Sequence, residues 1–121
     1  MSENEIQPLS QVSNPFEMTA QECADWLARN KGYEFKYNSW WHPDFPAMFH
    51  PYPLTIDSAA RAMSDQYNVR IEYQKARKQP WLLNFWKSGE AFPKITRVTA
   101  LDEITVRMRA AVLTRFSGNQ Q

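Results

Sequence analysis

VRIEYQKARKQPWLLNFWK, residues 69–87, is the stretch on which the fold turns. Val69, Ile71 and Tyr73 alternate with Arg70, Glu72 and Gln74, which is the period-two pattern of a half-buried strand. Trp81, Leu83 and Phe85 alternate in the same way with Leu82, Asn84 and Trp86, and both of those sets carry apolar side chains. The second strand is therefore expected to be central or covered on both sides. Between the two lies Ala76-Arg77-Lys78-Gln79-Pro80, too short for anything but a turn, so the strands must form an antiparallel hairpin. Lys94 to Val98 reads as a short third strand of the same half.

Helical signals flank this hairpin. Thr55 or Asp57 caps a helix running to about Tyr67, with Ile56, Ala59, Ala60, Met63 and Tyr67 as its buried stripe. Thr99 caps a last helix over about 100–116, with Asp102 and Glu103 in its first turn, where the helix dipole favours them. Leu101, Ile104, Met108, Ala111 and Val112 form its core face, and Arg107, Arg109 and Arg115 fall on or near the polar side. Further upstream, Thr19-Ala20-Gln21-Glu22 fits a capping box that opens a helix to about Asn30, closed by Gly32 as a left-handed cap. Tyr33, Phe35 and Tyr37 then alternate with polar residues as a strand. The order α-β-loop-α-β-β-(β)-α predicts an α+β fold, a small two-layer or α/β/α sandwich. It would hold an antiparallel sheet of three or four strands and three helices. Residues 1–18 read as a flexible arm, 19–116 as a single domain and 117–121 as a polar tail.

Residues 54–116 resemble the small modules called phage ABA sandwich domains. The resemblance rests on the Leu54-Thr55-Ile56-Asp57 helix start with Ala59-Ala60, the aromatic strands Arg70-Ile71-Glu72-Tyr73 and Trp81-Leu82-Leu83-Asn84-Phe85-Trp86, and the Thr99-Ala100-Leu101 entry into Arg109-Ala110-Ala111-Val112-Leu113. It implies a phage- or prophage-encoded accessory or inhibitor protein acting in the bacterial host cytoplasm. The same stretch, taken as α-β-β-β-α, is also similar to a double-stranded RNA-binding domain. That family's Gly-Pro-x-His loop is replaced here by Arg77-Lys78-Gln79-Pro80. The lysine cluster expected at the start of the last helix is replaced by Asp102 and Glu103, which repel phosphate.

Composition narrows the function classes. The 121 residues are 43% hydrophobic and 22% charged, which suits a globular domain rather than a disordered chain. No apolar run approaches the ~20 residues of a membrane helix, and the start MSENEIQ is acidic, so neither a membrane protein nor a secreted precursor is expected. The single cysteine, Cys23, shares a helix face with Trp26 and Leu27 and reads as a buried structural thiol. No phosphate loop can be built from three isolated glycines, Gly32, Gly89 and Gly118. No nucleophile elbow or adjacent Ser/His/Asp set is present, and a non-catalytic protein without a cofactor is expected. Residues 1–60 carry three basic and eight acidic side chains, net −5, while residues 61–121 carry eleven and five, net +6. Such asymmetry marks a surface only if folding keeps the two signs apart.

Two segments could bind a partner. Trp40 to Leu54, WWHPDFPAMFHPYPL, holds five aromatics and four prolines, and must be a stiff, irregular, apolar loop. Continuing the alternation from Tyr33 puts Trp40 and Trp41 on opposite sides. Trp41, Phe45, Phe49 and Tyr52 are expected outward, with His42 and His50 hydrogen bonding at the rim, as a surface for a protein partner or a second copy of the chain. His42, Asp44 and His50 fit no metal-ligand spacing, and no metal is expected there. The second segment interleaves cations and rings: Arg70, Lys75, Arg77, Lys78 and Lys87 with Tyr73, Trp81 and Trp86. Single-strand binders use this mixture. Because Tyr73 and Trp81 run in phase with core positions, nucleic-acid binding ranks second to protein binding here.

Overall fold

A computed structural model describes residues 14–44 and 50–119; Phe45, Phe49, and the parts of the expected arm and tail at 1–13 and 120–121 lie outside the described residues. The described residues form an α+β protein of three α-helices with two antiparallel sheets. Strands β3 (Tyr67–Tyr73), β4 (Trp81–Lys87) and β5 (Thr96–Ala100) form the larger sheet in that order. Ile71, Leu83 and Val98 lie in register across it, as do Tyr73, Trp81 and Ala100. β4 is central, as its two apolar faces require. β5 begins two residues later than its expected start at Lys94 and ends at Ala100. A shift of two keeps the same residues inward, so Val98 and Ala100 still face the core, and the shift adds Ala100 to the ladder opposite Trp81.

The smaller sheet is a hairpin that the sequence reading did not anticipate. The strand expected over Tyr33 to Tyr37 shortens to β1 (Glu34–Lys36), and the chain reverses at once into β2 (Ser39–Trp41). Tyr37 at φ 54° and Asn38 at φ 61° make the turn, the paired left-handed geometry whose twist matches that of the flanking strands. Among the described residues β1 and β2 pair only with each other.

Helix α1 (Ala20–Asn30) starts on the anticipated box: the Glu22 amide donates to Thr19 Oγ1 at 3.1 Å and the Thr19 amide to Glu22 Oε1 at 2.8 Å. At its other end the amides of Gly32 and Tyr33 donate to the carbonyls of Arg29 and Ala28, the two bonds of a Schellman cap. Gly32 is at φ 99°, and a Cβ there would lie 3.3 Å from His42 Nε2, so both backbone and space call for glycine.

Helix α2 (Ile56–Arg61), capped by Thr55 Oγ1, stops well short of Tyr67. The Ser64 hydroxyl and carbonyl take the amides of Gln66 and Tyr67 into a turn, a local competition in which serine outdoes helix continuation. Its inward side chains are Ser58, Ala59 and Ala62, whereas Ile56 and Ala60 are exposed.

Helix α3 (Glu103–Asn119) begins later than expected. Thr99 lies within β5, and Asp102 caps the helix by accepting the Thr105 amide on Oδ1 at 2.8 Å. The helix also runs through the first residues assigned to the polar tail.

α3 is the middle layer. Val106, Ala110 and Leu113 pack on Leu83, Phe85, Val98 and Ala100 of the sheet. Met108, Ala111 and Val112 pack on Cys23, Ala24, Leu27 and Ala28 of α1 and Ala59 of α2. A helix covered on both sides must be apolar nearly all round, and residues 108–114 are buried without exception. Arg109, assigned to the polar side by periodicity, is only 9% exposed. Its Nε donates to the Met18 carbonyl at 2.7 Å and its Nη1 to the Thr99 carbonyl at 2.9 Å, tying the segment before α1 and the end of β5 to the helix between them. Residues 14–18 are thus part of the body: Asn14 caps a short 3-10 turn at Pro15–Glu17 and Met18 enters the core, while Phe16 is 44% exposed.

Candidate interaction surface

The aromatic segment divides between core and surface. In the β1–β2 hairpin Phe35 opposes Trp40 and Glu34 opposes Trp41, so the two tryptophans do face opposite ways. Trp40 is 6% exposed and joins the core under α1, with the Arg29 guanidinium 5.2 Å from its ring centre. Trp41 stays partly exposed, its Nε1 donating to the Lys36 carbonyl at 2.9 Å across the hairpin.

Past the residues left undescribed, the chain turns inward again. Tyr52, expected outward, is 8% exposed and lies in the core with Leu27 and Met108. Prolines 51 and 53 bracket it, and Lys31 Nζ sits 5.9 Å from its ring centre. An aromatic side chain in a proline-rich loop can fill the core as readily as the surface, and Tyr52 does so here.

His50, expected at the rim of a docking surface, is instead a latch. Its Nδ1 accepts the Tyr52 amide at 2.9 Å, which leaves the proton on Nε2, and Nε2 donates to Asp25 Oδ1 at 2.9 Å. The ring lies 4.8 Å from that of Trp40. Burial alone would raise the Asp25 carboxyl, but the hydrogen bonds from His50 and Gln21, with the charge of Arg29, outweigh it and hold the group below its ordinary value of 3.8. His42 likewise packs 4.8 Å from Tyr33 and accepts the Asp44 amide on Nδ1 at 3.0 Å. With both of its nitrogens engaged inside the fold, His50 is not placed to move a substrate proton. Among the described residues no group of three His, Cys, Asp or Glu side chains could share a metal ion. Burial pushes the Cys23 thiol up to about 12, against a smaller opposing pull from Arg109, so it is no nucleophile in the folded chain.

On the hairpin, two rings stand outward. Phe35 is 49% exposed with its ring 5.1 Å from Trp40, and Tyr37 at the turn is 86% exposed. Lys36 and Glu34 form a 3.6 Å ion pair in solvent. Phe35 and Tyr37 were missed as surface residues because the period-two pattern ran past the reversal. The available signal was Asn38, which tolerates left-handed backbone.

The cations Arg70, Lys75, Arg77, Lys78 and Lys87 are all exposed, as expected. The ring assignments divide: Trp81 packs with the core, while Tyr73 is 55% exposed at the sheet edge, 5.2 Å from Trp81. No described helix is long and apolar enough to cross a membrane. No protein-family model, curated protein or solved structure matches the chain.

Proposed function

We propose that the protein is a non-catalytic binding module whose protein partner clasps the β1–β2 hairpin, with Tyr37 at its tip, Trp41 on one face and Phe35 on the other. The observation that carries this reading is Tyr37, a bulky residue at φ 54° that is 86% exposed. A side chain at positive φ costs about 1–2 kcal/mol, and a tyrosine left 86% exposed recovers little of it by packing. Asparagine, aspartate or glycine would serve the turn better. Strain of this kind persists where the residue has a use outside the fold. Tyrosine, tryptophan and phenylalanine are also the side chains enriched in interface cores, and a tight hairpin loses little entropy on binding.

The resemblance of residues 54–116 to phage ABA sandwich modules supports a phage- or prophage-encoded accessory or inhibitor protein working in the bacterial cytoplasm. The partner is then a host or phage macromolecule, or a second copy of the chain. Capture from host lysate with wild type, Phe35→Ala and Trp41→Ala tests the reading, with sedimentation equilibrium to detect self-association. Each substitution is expected to weaken association by about 1–3 kcal/mol while the circular dichroism spectrum stays unchanged. Association that both variants retain in full would refute it.

A further inference from the structure

The charge asymmetry of the sequence survives folding. Residues 67–100, which build the β3-β4-β5 sheet and its loops, hold seven basic and two acidic side chains, net +5, while the rest of the chain is net −4. Core packing fixes which way these side chains point. Ile71, Leu83 and Val98 face α3, so Arg70, Glu72, Leu82, Asn84, Trp86, Arg97 and Thr99 share the opposite face. With α1 and α2 stacked behind α3, no described helix covers that face.

At one end of the face hydrogen-bonded polar groups flank a buried leucine. Leu82, fully buried, lies in register between Glu72 and Thr99. The Thr99 hydroxyl bonds Gln79 at 2.8 Å and Gln74 bonds Glu72 at 3.1 Å. Past Leu82 come Arg70, Asn84 and Arg97 in one cross-strand row, then Trp86 opposite Asn68. Arg97 Nε donates to Asn84 Oδ1 at 3.2 Å, which fixes its guanidinium on the sheet. Among the described residues neither Arg70 nor Arg97 has a carboxylate partner, and Glu72 is engaged by Gln74.

We propose that this face binds single-stranded nucleic acid, with Arg70 and Arg97 holding phosphates on either side of Asn84 and the partly exposed Trp86 stacking a base. The two arginines lie two strand spacings apart, about 10 Å. Lys75, Arg77 and Lys78 in the β3–β4 loop and Lys94 before β5 add exposed cations at the two ends of the strands. Unpaired cations alternating with an accessible ring suit an unstacked strand, whose phosphates and base faces are both open. A duplex hides its base faces and needs an element that enters a groove, which a flat sheet face does not supply. The surface is separate from the hairpin, so either can fail without the other.

The test is fluorescence anisotropy of a labelled oligothymidylate with the full chain, from low to moderate salt. Wild type is expected to bind at low salt and weaken steeply as salt rises. Arg70→Ala combined with Arg97→Ala should bind at least about tenfold more weakly, with the slope of log affinity against log salt smaller by about 1.4, two phosphates' worth. Trp86→Leu, which keeps bulk but loses the ring, should bind about tenfold more weakly with the slope unchanged. Arg61→Ala on α2 and Phe35→Ala on the hairpin should bind as wild type. Absence of wild-type binding at low salt would overturn the proposal. So would full binding by the double variant, equal loss in Arg61→Ala, or displacement by oligoglutamate as effective as by unlabelled oligothymidylate.

Discussion

Tyr37 has a backbone that asks for a small residue and a ring in solvent. Tyr37→Asn should therefore stabilise the fold by about 1 kcal/mol while weakening partner binding, two effects of opposite sign from one substitution. Arg109 is its converse, a cation hidden by the fold and held by two carbonyls. Arg109→Ala leaves both carbonyls short of a donor and should lower stability by about 3 kcal/mol in urea denaturation. Asp25 sets an acid limit. Its folded pKa lies below its ordinary 3.8, so the unfolded chain binds the proton first. The stability it contributes is whole above 3.8 and falls away as pH drops through the lower folded value. Wild type should thus lose more stability than Asp25→Asn between about pH 5 and about pH 3, as urea midpoints would register. Equal losses would mean that the His50 latch does not hold the carboxylate.

At the level of elements, the two neighbouring tryptophans make a direct contrast. Trp40→Ala should cost about 3–5 kcal/mol of stability, since it empties a place in the core beneath α1, while Trp41→Ala should change binding and leave the thermal midpoint nearly unmoved. Opposite behaviour in a thermal scan would reverse the hairpin's faces. That these two side chains part company could be read from their alternation with Tyr33, and the capping box, the Gly32 cap, β3 and β4 were equally legible, because each rests on contacts within a few residues. The ends of α2 and α3 were not. Ser64 and Asp102 won against Tyr67 and Thr99 through side-chain bonds that periodicity does not weigh. The reversal at Tyr37-Asn38 was hidden because tyrosine is an unusual turn residue. The inward turn of Tyr52 and His50 depends on Asp25, twenty-five residues from His50, a contact no local pattern carries.

Across the whole molecule, one apolar helix between a cationic sheet and a pair of smaller helices leaves two surfaces facing different ways, an aromatic hairpin and a basic sheet face. The α+β class followed from the order of helix and strand signals, but α3 as a middle layer did not. Its burial on both sides was masked by three arginines, of which Arg109 is buried and Arg107 is paired with Glu103 at 2.9 Å. The same architecture seals Cys23, whose thiol should resist alkylation at mildly alkaline pH until the chain is unfolded. Whether the hairpin is kept for a partner rather than for the fold is read from one paired measurement on Tyr37→Asn: quantitative capture from host lysate beside wild type, with the melting temperature of each. A partner role for the hairpin predicts a protein, or a second copy of the chain, that wild type retains and the variant loses, while the variant melts at the same or a higher temperature. Equal retention by both, or a variant that melts lower, would contradict it.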